Sequence, residues 1–312
     1  MLTTLNALLP VILVIASGHL LARVGLISGD QWRGIERLAW YVLFPSVLFL
    51  KSAVIDFSTL PALEMSAALL ASIFAMGALI LALRPMFEKV WAINGPRYTS
   101  IFQGSVRWNA FVALALGESL IGPVGVALIA VAMAVMIPIL NVMCVLVLSR
   151  YANAKPPTLR KTLKDLASNT FIMSIALGLF VNVVGLPIPA ILNDTLGLFA
   201  SAALPVGILC VGAGLDLAAL RRPGPALTSG TLIRLILMPL MGAGFAWVFG
   251  VTGPALTAVI ISLAVPAASN SYLMARQMGG DAKLMAEILT LQTVVAVITL
   301  PLAVYLLGGS PS

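Results

Sequence analysis

The sequence predicts an all-α polytopic membrane protein of ten transmembrane helices, arranged as two inverted repeats of five. Three observations carry that expectation. Of 312 residues, 61% are apolar and only 9% are charged, where a soluble domain carries about a quarter charged residues. Apolar stretches of about 20 residues, enough to cross a ~30 Å hydrocarbon layer at helical rise, recur along the whole length. The basic residues, finally, collect in alternate connections.

Hydropathy places the spans at roughly 4–22, 36–54, 60–83, 99–117, 124–148, 167–185, 191–214, 226–249, 255–275 and 282–307. All should be helical, because an unpaired backbone group in lipid costs several kcal/mol and the alternation of barrel strands is absent. Every lysine and arginine except Lys51, Arg107 and Arg234 falls in or beside the loops after the first, third, fifth, seventh and ninth spans. The positive-inside rule then puts both termini on the outer, periplasmic side of a cell inner membrane. The N-terminus, MLTTLNALLPVILVIASGHLLARVG, reads as the first span and not as a removable leader.

The formal charge of +7 reports this topology. Basic residues are scattered singly without interleaved aromatics, which argues against nucleic acid as a partner. Cys144 and Cys210 lie within apolar segments and read as buried thiols. His19, the single histidine, sits toward the inner end of the first span and reads as interfacial. No phosphate-cradling loop, metal-ligand spacing or nucleophile motif is present, so neither an enzyme nor a cofactor is expected.

The basic loop SRYANAKPPTLRKTLK (149–164) divides the chain into a first repeat, 1–148, and a second, 165–312. The halves can be laid on one another. LFPSVLFL (43–50) in the second span and ALPVGILC (203–210) in the seventh each hold a proline, Pro45 and Pro205, inside an apolar helix. Asn109 precedes Pro138 as Asn270 precedes Pro301, and Gly117 and Gly279 follow their asparagines at matching distance. Five spans per half is odd, so the second half inserts upside down. Inverted repeats with interrupted helices are a recurring transporter architecture, with the site near the midplane.

Polar residues inside the spans are the candidates for that site. SVRWNAFVALALGES (105–119) places Arg107 ten residues beyond Arg97, about 15 Å into the bilayer. Arg234, in TLIRLILMPL, reaches a similar depth. An arginine there costs about 2.5–3.5 kcal/mol on insertion scales and needs a cavity or a partner. No carboxylate shares the zone: Glu118 lies near the outer end of its span and Glu287 early in the tenth. A carboxylate arriving from solution fits the guanidinium fork. The alternative for each arginine is structural, by snorkelling or by bonding carbonyls freed at a helix break. Pro266 should disrupt the ninth helix, leaving Ser269 and Asn270, with Asn109 at the equivalent place, to bind a ligand or the freed backbone. Asn141, Asn182, Gln292 and Thr293 read as hydrogen-bonding links between helices.

RWNAFVALALGESLIGPVGVALIAVAMAVMIPILNVMCVLVL (107–148), LPVGILCVGAGLDL (204–217) and VPAASNSYLMARQMGGDAKLMAEILTLQTVVAVITLPL (265–302) together resemble a bacterial member of the auxin efflux carrier family. That family includes the plant PIN auxin carriers and bacterial malonate and malate permeases, within the bile acid and auxin carrier superfamily. The resemblance implies broken, crossing fourth and ninth helices at the substrate site, here around Asn109 and Pro266 to Asn270. It also implies a dimeric scaffold of the first, second, sixth and seventh helices and an elevator-type moving domain made of the rest. No proline lies between Pro96 and Pro123, so Gly104 is expected to permit the fourth-helix break. The resemblance and the buried polar residues together lead to the expectation of a transporter of a small organic carboxylate anion across the lipid bilayer, with Arg107, Asn109, Ser269, Asn270 and Arg234 expected from the residues themselves to bind it. Arg107 just before the asparagine departs from the uncharged motif of the dicarboxylate permeases. Alternatives are export of neutral or amino-acid-like solutes, metabolite sensing without transport, and a channel.

Overall fold

The computed structural model describes residues 2–54, 60–152, 170–217, 220, 223–268 and 270–308. Ser269 and most of the expected linker, 153–164, lie outside the described residues. Helices occupy every segment where a span is expected, and among the described residues there are no strands. The protein is a membrane-embedded multi-pass protein. Among the described residues six helical stretches are long and apolar enough to cross a bilayer, with shorter apolar helices between them. Large apolar side chains such as Val183, Ile191 and Trp247 face outward, as a lipid-facing surface requires.

In chain order the elements are α1 (Leu2–Arg23), α2 (Gly29–Leu38) and α3 (Phe44–Val54), α4 (Ala62–Ala82), the short α5 (Arg84–Trp91), α6 (Gly95–Val106), α7 (Ala110–Ile121) and α8 (Pro123–Tyr151). There follow α9 (Thr170–Val184), α10 (Ala190–Ala213), α11 (Pro225–Leu232), α12 (Met238–Val248), α13 (Gly253–Ala264), α14 (Asn270–Gln277) and α15 (Ala282–Leu307).

Among the described residues, two π turns interrupt otherwise continuous spans. Ala39–Leu43 joins α2 to α3, and the Phe44 N–H reaches back five residues to the Ala39 carbonyl. Ile233–Leu237 joins α11 to α12, with Met238 N–H on the Ile233 carbonyl. A proline, Pro45 or Pro239, sits just beyond each. A proline ring clashes with the carbonyl four residues earlier, and a turn widened by one residue moves that carbonyl aside. Pro205, by contrast, is carried inside an unbroken α10. π turns favour functional positions, and these two carry Trp40 and Arg234.

The packing falls into two groups of helices. In the first, α3 packs on α9 and α10, and α10 packs on α1. Glycines permit close approaches: a Cβ on Gly18 would overlap the Leu209 carbonyl oxygen, and one on Gly178 would sit 2.6 Å from that of Phe49. In the second, α4 packs on α8 and α12, α6 on α8, α11 and α15, and α13 on α15. The groups meet where α1 and α10 touch α7, and where α3 and α9 touch α8.

Both short-helix pairs, α6/α7 and α13/α14, are interrupted in mid-span. α6 stops at Val106 and α7 starts at Ala110; α13 stops at Ala264 and α14 starts at Asn270. The interruptions touch, since the Asn109 backbone N–H donates to the Pro266 carbonyl at 2.8 Å. Gly104 does not make the fourth-helix break: it stays helical inside α6, and an added Cβ would lie 2.7 Å from Ile288 Cγ2. Its missing side chain serves close packing against α15. The break falls three residues later, where Arg107 adopts an extended backbone and Asn109 caps the next helix.

Candidate functional site

Breaking two helices at mid-span strands backbone groups, because the last four carbonyls and first four N–H groups of a helix lack internal partners. Their partners define two sides of the junction. On the packed side, Arg234 is fully buried. Its Nε donates to the Val265 carbonyl at 2.8 Å, one terminal nitrogen to the Ser262 carbonyl at 2.9 Å, and the other to the Val106 carbonyl at 3.5 Å. One guanidinium thus joins the C-terminal ends of α6 and α13. Gln292, on α15, completes this side: its Nε2 donates to the Gly104 and Gly230 carbonyls at 2.8 and 3.0 Å, and its Oε1 accepts from Ala267 N–H at 2.8 Å.

On the other side lies a cavity of about 370 Å³. Arg107, Asn109 and Asn270 form its inner end. Arg107 is 6% exposed, and it donates to Asn270 Oδ1 at 2.9 Å and to the Met274 sulfur at 3.3 Å. The Cys144 thiol also contacts it. Among the described residues no carboxylate pairs with Arg107. Asn109 caps α7, accepting from Phe111 and Val112 N–H at 3.1 and 3.3 Å through its carbonyl oxygen. That leaves its NH₂ as a donor at the cavity. The N-terminal ends of α7 and α14 lie here too, adding partial positive charge.

The walls are aromatic. Trp40 from the first π turn lies 4.3 Å from Phe171 of α9 and 6.0 Å from Phe111 of α7, ring centre to ring centre. Phe44, behind the wall, stacks flat on Phe111 at 4.2 Å. Trp108 closes the inner end, and Arg33, Glu36 and Arg37 from α2 line the far end. The two helix groups therefore share the cavity: α2, the first π turn and α9 on one side, α7, α8 and α14 on the other.

Of the residues singled out from sequence, the structure brings Arg107, Asn109 and Asn270 together at the cavity. Arg234 is not among its lining, because all three of its bonds go to carbonyls on the packed side. Pro266 supplies the carbonyl that links the two breaks, and Pro45 and Pro205 shape helices elsewhere. Asn182 links helices as expected, donating to the Ala53 carbonyl at 3.0 Å, and so does Gln292. Asn141 instead lines the cavity. Sequence reasoning passed over Trp40, Phe111 and Phe171, since aromatic residues within apolar spans carry no signal of their own.

Such an arrangement can hold one anionic group against a buried cation and amide donors, with an apolar body against aromatic rings. A model of the family described as "Membrane transport protein" matches residues 3–304. Over 126 residues the chain is 28% identical to an uncharacterized transporter of Methanothermobacter thermautotrophicus, a match spanning 40% of this chain and 41% of that relative.

Proposed function

This chain belongs to the membrane transport protein family, the auxin efflux carrier family that its sequence resembles, and we propose that it carries small organic carboxylate anions by an elevator-type alternating-access cycle. The observation that carries the proposal is Arg107: a buried cation at the inner end of the cavity with no carboxylate partner among the described residues. A guanidinium in that setting favours a bidentate carboxylate. Asn109 and Asn270 contribute amide groups, Ser269 directly precedes Asn270 in the sequence, and the N-terminal ends of α7 and α14 favour negative charge. A single inner cation against aromatic walls suits one carboxylate with an apolar body better than a compact dicarboxylate.

In this reading the ten spans form two inverted repeats, 1–148 and 165–312, joined by the cytoplasmic linker 149–164. The first, second, sixth and seventh spans form a scaffold through which two copies pair. The remaining spans move the site across the inner membrane, with both termini outside. The shared lining of the cavity supports the division, because Trp40 and Phe171 would stay while Arg107 and Asn109 travel. The mouth beside Arg33 and Arg37 belongs to the basic, cytoplasmic end. An amino-acid-like solute is the second reading, favoured by Glu36, which puts an ammonium partner in the same cavity as Arg107.

The test is solid-supported-membrane current from purified protein in liposomes on addition of malonate, malate, succinate, indole acetate or a neutral amino acid. Saturable current for an acid is expected, and Arg107→Ala should weaken apparent affinity at least about 30-fold while the protein stays folded. Equal affinity in the folded variant would remove Arg107 from the site.

A further inference from the structure

Half-helix C-terminal ends and unwound carbonyls at a membrane transporter's broken helices are where a coupling cation is ordinarily held. In this protein three of those groups are already engaged by one side chain. The free carbonyls of Val106, Ser262 and Val265 converge on the Arg234 guanidinium. They come from two helices whose C-terminal ends each carry about half a negative charge. Two such ends offset one guanidinium without any carboxylate, and among the described residues none pairs with Arg234. The charge sits in a fully buried position, where an unbalanced cation would be costly. Its three hydrogen-bond partners are all backbone carbonyls, so what the junction demands is a cation of this size and shape.

We propose that Arg234 is a tethered internal cation that occupies the place of a coupling ion at the helix crossing. The carrier cycle then takes up no sodium or potassium there, and the guanidinium holds the two broken helices in register as a positioning residue. It is distinct from Arg107, which faces the cavity. The flux part rests on the carrier reading above; the occupancy part does not.

The experiment is a thermal melt of the purified full-length protein in sodium, potassium or choline chloride, wild type beside Arg234→Ala and Arg234→Gln. Each variant is also measured with millimolar guanidinium or methylguanidinium. Wild type should melt at the same temperature in all three salts. Arg234→Ala should melt about 5–10 °C lower, with at least half of that loss recovered by the guanidinium ions and none by choline. Arg234→Gln keeps a similar length without charge and should show the same recovery if the alanine variant does not fold. Substrate flux in wild type should be equal in sodium and choline media. Stabilisation of wild type by sodium, flux that requires sodium, or variants that no guanidinium ion rescues would overturn the proposal. Absence of flux for every acid with intact guanidinium rescue would instead fault only the carboxylate reading.

Discussion

Arg107 and Arg234, which the sequence places at similar depth, serve the same junction, yet their partners differ in kind. Arg234 donates to three backbone carbonyls and is shut away from the cavity. Arg107 leans on an asparagine oxygen and a thioether sulfur and lines the cavity. Carbonyls at a helix C-terminus offset a charge, whereas a neutral amide and a sulfur hydrogen-bond it and leave it largely unneutralised. Depth in the membrane therefore does not assign an arginine its work. The company it keeps does: the packed side of the crossing is closed by its own hydrogen bonds, whereas the cavity side is, in the proposed function, completed by a ligand.

The largest expected effect that separates the two sides is at Gln292. Replacing it with leucine leaves the Ala267 N–H and the Gly104 carbonyl without their partner and takes a second donor from the Gly230 carbonyl, which keeps the Ile233 N–H, at a cost on the order of 3 kcal/mol. Chemical unfolding in detergent should show that loss. Carboxylate affinity of the protein that remains folded should stay within about twofold, as expected of sites that share no partner. A large loss of affinity at unchanged stability would erase the division between the sides.

Asn109 stands between them, which makes it the sharper probe. Its side-chain oxygen caps α7, and its NH₂ is available to a ligand. Asn109→Ala should cost about 1 kcal/mol of stability for the lost cap and, in the same protein, about tenfold in carboxylate affinity for a lost hydrogen bond to a charged group. Asn109→Asp keeps the cap but replaces the donor with a negative charge, so stability should recover while affinity should not. If aspartate restored both, the ligand contact would be absent.

How much of this was legible in the sequence follows from the physics of each signal. Span positions were readable because hydropathy is local, and the helix breaks around Asn109 and Pro266 were readable from a polar cluster and a proline. The exact means of the fourth-helix break was not. Gly104 carries the composition of a break, but its bare Cα faces Ile288. The break itself depends on an asparagine cap and on a bond from Asn109 to Pro266, a residue remote in the chain. Arg234 could be read either as ligand or as backbone support, and only the positions of carbonyls on other helices decide between them. Asn141 looks like any helix-linking amide until α8 is placed beside the cavity. The aromatic wall was invisible because Trp40, Phe111 and Phe171 converge only in space.

That wall gives the smallest effect and the most selective one. Trp40 packs at a tilt on Phe171 and in a T-shaped pair with Phe111, contacts of about 0.5–1.5 kcal/mol beyond area burial. If the cavity takes a carboxylate with an apolar body, Trp40→Ala should weaken binding of indole acetate by about threefold to tenfold and leave malonate nearly unchanged, since a compact acid reaches Arg107 without leaning on the ring. Arg107→Ala should weaken both acids alike. Competition currents with the two acids on one protein preparation measure the ratio directly. An equal loss for malonate would mean that Trp40 shapes the inner end of the cavity and not its wall, and would move the boundary between the helix groups toward Arg107.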